Sequence, residues 1–245
     1  MSWRKTPVQR TGCGPGCLTS QVDATEFDYS NLSGRPPGPF ISAASRVLRG
    51  VRDVQTQVVP YAEAWQAHNR AAIAADGPLW VALGDSMTQG IGASSYDRGW
   101  TAGVAAHLSE YRLVNLSVTG GLVTDLLERQ LPTMESLGVV PDLITVMVGS
   151  NDLLNRRAKA TLPADLATLL ARLPAGTVVA TQPEVRRGSP AFNLQVTSTS
   201  HVIPAEFRDP RLRSWKGRVA ADRFHPNDAG YAAMADIMRE AIARR

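Results

Sequence analysis

The chain has 245 residues, 44% hydrophobic and 20% charged, a globular composition with enough apolar mass for a sizeable core. Its net charge of +4 is mildly basic, with Arg gathered between Arg208 and Arg218 and at Arg244 and Arg245; no aromatic-rich basic stripe accompanies it, which argues against nucleic-acid binding and leaves an anionic substrate or surface open. No apolar run approaches the roughly 20 residues that span a bilayer, and Met1-Ser2-Trp3-Arg4-Lys5 opens no apolar signal segment, so a cytoplasmic location is expected.

Residues 1–39 are rich in Gly, Pro, Ser and Thr and carry little apolar periodicity. A loose arm is expected, or one that wraps the domain by docking Phe27, Tyr29 and Leu32. Cys13 and Cys17 fall within it. Two ligands do not make a zinc site, so the pair is expected as free thiols or as a local disulfide. Residues 40–76 form a helical extension, with Ala44, Val47, Leu48, Val51, Val54 and Val58 at three-and-four spacing. Pro60 is expected to kink or split it, leaving a second piece with Trp65 and Ile73. The pair would pack on the main domain or cap its site.

Asp76-Gly77-Pro78 marks a boundary, and a main domain over 77–245 follows. Strands are expected at 79–83, 113–118, 143–148 and 177–181, and helices at 100–111, 124–131, 162–173 and 227–243. Residues 182–221, with Pro183, Pro190, Pro204 and Pro210, look irregular, with a poor candidate for a fifth strand at 201–207. Alternating strands and helices imply βαβ units and a parallel sheet. The near-continuous apolar strands agree, because such a sheet is covered on both faces. Ligands then bind at the carboxyl ends of the strands.

Chemistry-bearing segments follow three of these strands. Ser86, in Gly84-Asp85-Ser86-Met87-Thr88, is a candidate nucleophile that would need a base. Asp222 and His225, in Asp222-Arg223-Phe224-His225-Pro226-Asn227, are spaced so that the carboxylate can fix the imidazole tautomer. His68 and His107 fall inside predicted helices, and His201 is a weaker candidate for the base or a substrate contact. Gly120, closing Asn115 to Gly120, and Asn151, in Gly149-Ser150-Asn151-Asp152, could donate to an oxyanion. Singly, each segment is equally a turn or a helix cap; together they are the parts of acyl-ester hydrolysis.

The four segments resemble the signature blocks of the SGNH hydrolases, or GDSL esterases, lipases and acylhydrolases, over roughly residues 79–243. The resemblance implies an α/β fold, a flavodoxin-like three-layer α/β/α sandwich with a central parallel sheet, here with the N-terminal arm and helical extension added. It implies Ser86 as nucleophile, His225 as base and Asp222 as orienting carboxylate. It also implies an oxyanion hole of the Ser86 and Gly120 N–H groups and the Asn151 side chain, with no metal and no cofactor. The expected partner is a small-molecule ester: an acylated sugar, a lipid or a simple ester. A serine esterase working through an acyl-serine is expected; the same residues would serve an acyltransferase to a sugar or alcohol hydroxyl, and a non-catalytic flavodoxin-like binding module would leave Asn151 and the Asp222–His225 pair unexplained. Two departures stand out: about 80 residues precede the nucleophile block, and the stretch before the last block is irregular.

Overall fold

The computed structural model describes residues 27–36, 43, 45–184 and 186–245. The Cys13 and Cys17 pair lies outside the described residues. Five strands, β1 (Leu79–Gly84), β2 (Arg112–Asn115), β3 (Leu143–Met147), β4 (Val178–Ala180) and β5 (Ile203–Ala205), make one sheet in the order β2-β1-β3-β4-β5. All pairings are parallel. This is the doubly wound order expected of a flavodoxin-like sheet.

Alternation along β1 sorts its side chains to two faces. Val81 and Leu83 join a core with Leu116, Leu126, Ile144, Leu169 and Phe192. Trp80 and Ala82 join Trp100, Met147, Tyr231, Met234 and Met238 on the other face. The first face is covered by the helical run Val123–Asp125, Leu126–Gln130 and Leu131–Ser136, whose middle turn is π-helical, and by helices Arg156–Arg172 and Ser189–Ser198. The second is covered by helices Trp100–Ala105 and Asp228–Ile242. Layers on both faces complete the three-layer sandwich.

The elements differ from expectation where proline and chain ends decide. In the helical extension, residues 43 and 45–47 are helical, and the helices α1 (Arg49–Gln55) and α2 (Val58–Ala74) follow, with the break between these two at Thr56 and Gln57 rather than at Pro60. Pro60 is the third residue of α2, where no intrahelical bond is needed from its nitrogen. Among the described residues of the apolar stripe at 44–58 only Val54 is buried; Val47 and Leu48 are exposed. The helix expected at 100–111 stops at Ala105. The irregular stretch contains the helix Ser189–Ser198, with Pro190 again in its first turn, and β5 lies inside the poor candidate at 201–207.

The segment 27–36 lies across the main domain, with Phe27 and Tyr29 buried in the first core. Tyr29 Oη donates to Leu116 O at 2.5 Å, and Asn31 Nδ2 donates to Asn115 O at 2.8 Å and Ser117 O at 2.9 Å. The segment thus runs beside the chain that leaves β2. Helix α2 is anchored nearby: Asn69 Nδ2 donates to Asn115 O at 2.8 Å, and Trp65 Nε1 to Gln89 O at 2.9 Å.

Candidate active site

Ser86 begins a short helix, Ser86–Gln89, two residues beyond the end of β1. The exit is tight: a Cβ on Gly84 would lie 2.3 Å from Met147 O and 2.3 Å from Thr88 Oγ1, so no side chain fits there. Asp85 caps the helix, its carboxylate accepting from the Met87 N–H at 3.0 Å. As the first helical residue, Ser86 has an N–H that the helix cannot use. Among the described residues no acceptor takes it.

His225 comes from the loop before the helix Asp228–Ile242. Its Nε2 lies 2.9 Å from Ser86 Oγ, and its Nδ1 lies 2.6 Å from Asp222 Oδ2. The second carboxylate oxygen of Asp222 accepts from the N–H groups of Phe224 and His225, both at 3.0 Å. This closes a turn in which Arg223, at φ 58°, is the one described non-glycine residue in the left-handed region. The loop is pinned by the antiparallel bridge of Val219 with Pro226 and by Ala220 N–H to His225 O at 2.8 Å. Burial alone would raise the Asp222 carboxyl, but the hydrogen bond and charge of His225 and the two backbone donors hold it below its ordinary value. The carboxylate accepts at Nδ1, so Nδ1 carries the proton and the Nε2 lone pair faces the Ser86 hydroxyl.

Asn151 lies one residue into the helix Ser150–Leu154, just past the end of β3. Its Nδ2 donates to Gly121 O at 3.0 Å and approaches Asp85 Oδ2 at 3.4 Å. It therefore spans the neighbour of Ser86 and the neighbour of Gly120. Gly120, at φ 73°, is exposed, and a Cβ there would meet nothing within 4 Å. Its N–H also finds no acceptor among the described residues. Two backbone donors and one side-chain amide with a long, weak second bond thus lie around the loops that flank Ser86.

Buried carboxyls support these loops. Asp85 accepts from Ser150 Oγ at 2.9 Å, yet burial pushes its pKa up to about 6. Asp152 accepts from the Val123 N–H at 3.1 Å and is likewise pushed up to about 6 by burial. His201 is elsewhere: its Nε2 bonds Leu170 O at 2.9 Å, on the side of the sheet where β5 begins. His68 bonds Leu113 O at 3.1 Å and His107 bonds Gly103 O at 3.1 Å.

Several buried amides at the site lie outside every recognised block. Gln130 pairs with both backbone polar groups of Gly84. Gln89 Nε2 donates to Asn31 O at 2.7 Å and Ser117 O at 3.0 Å, and it bonds Thr119 through Oε1. Asn69 Oδ1 accepts from the Asn115 N–H at 2.8 Å. Gln89 alone adjoins a block, immediately after Thr88; Asn31, Asn69 and Gln130 carry no local sequence signal.

A cavity of about 250 Å³ opens against the residues that flank Ser86. Asp85 and Met87 flank Ser86 there, Ser150 precedes Asn151, and Phe224 precedes His225. Met147, Leu153, Phe207, Trp215 and Met234 give it an apolar wall, and Arg186 and Arg223 also line it. Among the described residues no cluster of His, Cys, Asp and Glu is arranged to hold a metal ion. No described helix is long and apolar enough to cross a membrane.

The sequence profile of the GDSL-like lipase/acylhydrolase family matches residues 82–233. No protein of curated function matches the chain in sequence. Among solved structures, TesA is similar at 22% identity and TM-score 0.58, over 68% of this chain and 98% of its own. Axe2, an acetylxylan esterase from Geobacillus stearothermophilus, is similar at 20% identity and TM-score 0.53, over 68% of this chain and 94% of its own. SsfX3, a salicylyl-acyltransferase from a tetracycline biosynthetic pathway, is similar at 21% identity and TM-score 0.53, over 70% of this chain and 55% of its own. These likenesses agree on the fold.

Proposed function

The chain belongs to the GDSL-like lipase/acylhydrolase family of ester-cleaving hydrolases, and from that premise we propose that it cleaves a carboxylic ester through an acyl-Ser86 intermediate. The observation that carries the reading is the hydrogen-bonded line from Ser86 Oγ through His225 to Asp222, at 2.9 Å and 2.6 Å. A serine hydroxyl becomes a useful nucleophile only when a base can take its proton as it attacks.

Ser86 Oγ attacks the ester carbonyl carbon while its proton passes to His225 Nε2. The carbonyl electron pair moves to oxygen, and the N–H groups of Ser86 and Gly120 and the Asn151 amide stabilise the oxyanion. A preorganised donor of this kind contributes on the order of 3 kcal/mol. Asp222 holds the imidazolium through Nδ1. His225 returns the proton to the leaving alkoxide as the tetrahedral carbon collapses, leaving alcohol and acyl-Ser86. Water then repeats the sequence, giving up its proton to His225 and releasing the acid.

The cavity beside Ser86 receives an apolar part of the ester. At about 250 Å³ it falls below the roughly 300–1,000 Å³ of sites for drug-sized ligands, which suits a short acyl or aryl group.

Purified protein with a short-chain p-nitrophenyl ester tests the reading. Turnover by the native chain and none by a folded Ser86→Ala variant is expected; turnover retained by Ser86→Ala overturns it. Adding an alcohol or sugar acceptor and analysing products covers the second reading, acyl transfer, which the likeness to an acyltransferase fold supports. Transferred product in place of free acid would make transfer the activity.

A further inference from the structure

Gly120 is short of restraints of its own. It is exposed between a half-buried and a buried neighbour, sits at φ 73°, and nothing packs where its side chain would be. A glycine in that setting rotates freely unless something outside the loop holds it. Behind Gly120, the Gly121 N–H reaches Val118 O at 3.0 Å. Ahead of it, Asp125 Oδ2 accepts from the Leu122 N–H at 2.7 Å. Asn151 holds Gly121 O at 3.0 Å and Gln89 bonds Thr119; the hold on the Gly120 carbonyl comes from the N-terminal segment.

Arg35 Nη1 donates to Asp125 Oδ1 at 3.0 Å and Nη2 donates to Asp125 Oδ2 at 2.6 Å. The same Nη2 reaches Gly120 O at 3.3 Å. One guanidinium therefore touches both the Gly120–Gly121 peptide and the carboxylate that fastens Leu122. Its planar fork suits that task, since it presents several donors in fixed geometry. The segment around Arg35 is itself held: Arg129 donates to the carbonyls of Ser30 and Leu32, all at 3.3 Å, and its guanidinium lies 5.8 Å from the centre of the Tyr29 ring.

We propose that Arg35 is a positioning residue for the oxyanion hole, delivered by the N-terminal segment 27–36, and that this segment is part of the catalytic apparatus. The inference rests on the reading of Gly120 as an oxyanion donor. The Arg35 side chain is 48% exposed, but its carboxylate partner is 8% exposed and held at two points, so the pair also contributes to stability. Its consequence lies in aim: a donor misplaced by an ångström can cost about a hundredfold in rate.

Arg35→Ala, made in the full chain, is expected to lower kcat roughly tenfold to a hundredfold with KM little changed and the protein still folded at the assay temperature after a modest fall in melting temperature, because an interaction made in the transition state is lost. The rate of Ser86 phosphonylation by a fluorophosphonate probe, which also builds charge on that oxygen, should fall in parallel. Arg35→Lys keeps the charge but cannot bridge both partners, and should give an intermediate kcat. Wild-type kcat in both variants overturns the proposal, as does a loss confined to KM or one that merely follows unfolding. Ser86→Ala in the same assay separates the two levels. An inactive Ser86→Ala beside an unaffected Arg35→Ala removes only the role of Arg35, whereas an active Ser86→Ala removes the reading beneath it.

Discussion

Gln130 brackets the strand end that leads into Ser86: its Oε1 accepts from the Gly84 N–H at 2.8 Å and its Nε2 donates to Gly84 O at 2.9 Å. The side chain thereby acts as one more rung of sheet beside β1, two residues before Ser86. Gln130 is fully buried and Gly84 is buried with it, away from water. Gln130→Leu removes both bonds. Gly84 O keeps a partner in the Val118 N–H at 3.2 Å, but the Gly84 N–H is left unsatisfied. The expected loss is about 1–3 kcal/mol of stability, measured by urea unfolding, with some loss of kcat as the Ser86 turn loosens. Unchanged unfolding would remove Gln130 from the supports of the site.

Asp222 has a double task, and that fixes what Asp222→Asn must do. Its Oδ1 accepts from two backbone N–H groups, and its Oδ2 from His225 Nδ1. An asparagine will keep its carbonyl oxygen toward the two backbone donors, because its NH2 cannot accept from them. The NH2 then faces Nδ1 and forces the proton onto Nε2, where it can no longer accept from Ser86. We expect a fold intact by circular dichroism and a kcat lower by about three to four orders of magnitude. Activity within tenfold of native would contradict the role of Asp222.

Much of the architecture was legible because each strand is an apolar run that ends on a polar block. The register of β1 on β3, with Gly84 opposite Met147, then brings the loops that carry Ser86 and Asn151 to the same edge of the sheet. The prolines misled in two places: Pro60 and Pro190 sit in first helical turns, where they are tolerated, so neither breaks its helix. The supports of the site were not legible. Gln130 reaches Gly84 across 46 residues, and Arg35 reaches Gly120 across 85. Contacts of that span leave no periodicity and no local motif, only a buried amide or an ordinary-looking arginine.

Gly92 shows how closely the loop of His225 is packed. It sits at φ 96°, and a Cβ there would lie 2.7 Å from His225 Cβ and 2.5 Å from Pro226 O. Gly92→Ala must strain its own backbone and push the loop that holds His225. A stability loss of about 1–3 kcal/mol is expected, together with a kcat reduced more than KM is raised, since the shift acts on Ser86–His225 alignment. Steady-state kinetics beside thermal melting checks both; native values for the two would show that the loop yields freely.

The pH dependence of stability should carry the mark of Asp85. Its folded pKa is about 6, raised by burial from an ordinary value of 3.8. Burial disfavours the charged form, so the neutral carboxyl is the one the fold accommodates. Below about pH 4 the group is protonated in both folded and unfolded chains, and the native state keeps the full benefit. Between roughly pH 4 and 6 the unfolded chain releases its proton first, and stability falls; above about pH 6 both states are ionised and the loss levels off, at roughly 3 kcal/mol for this residue alone. Asp152, also raised to about 6, acts in the same direction, whereas Asp222, held low, acts in the opposite one. Comparing Asp85→Asn with the native chain isolates the term, because the amide does not titrate. The difference in unfolding free energy between the two should shift in favour of the variant as pH is raised from 4 to 7. A difference that stays constant across that range would mean that Asp85 ionises in the folded protein as readily as in the unfolded chain.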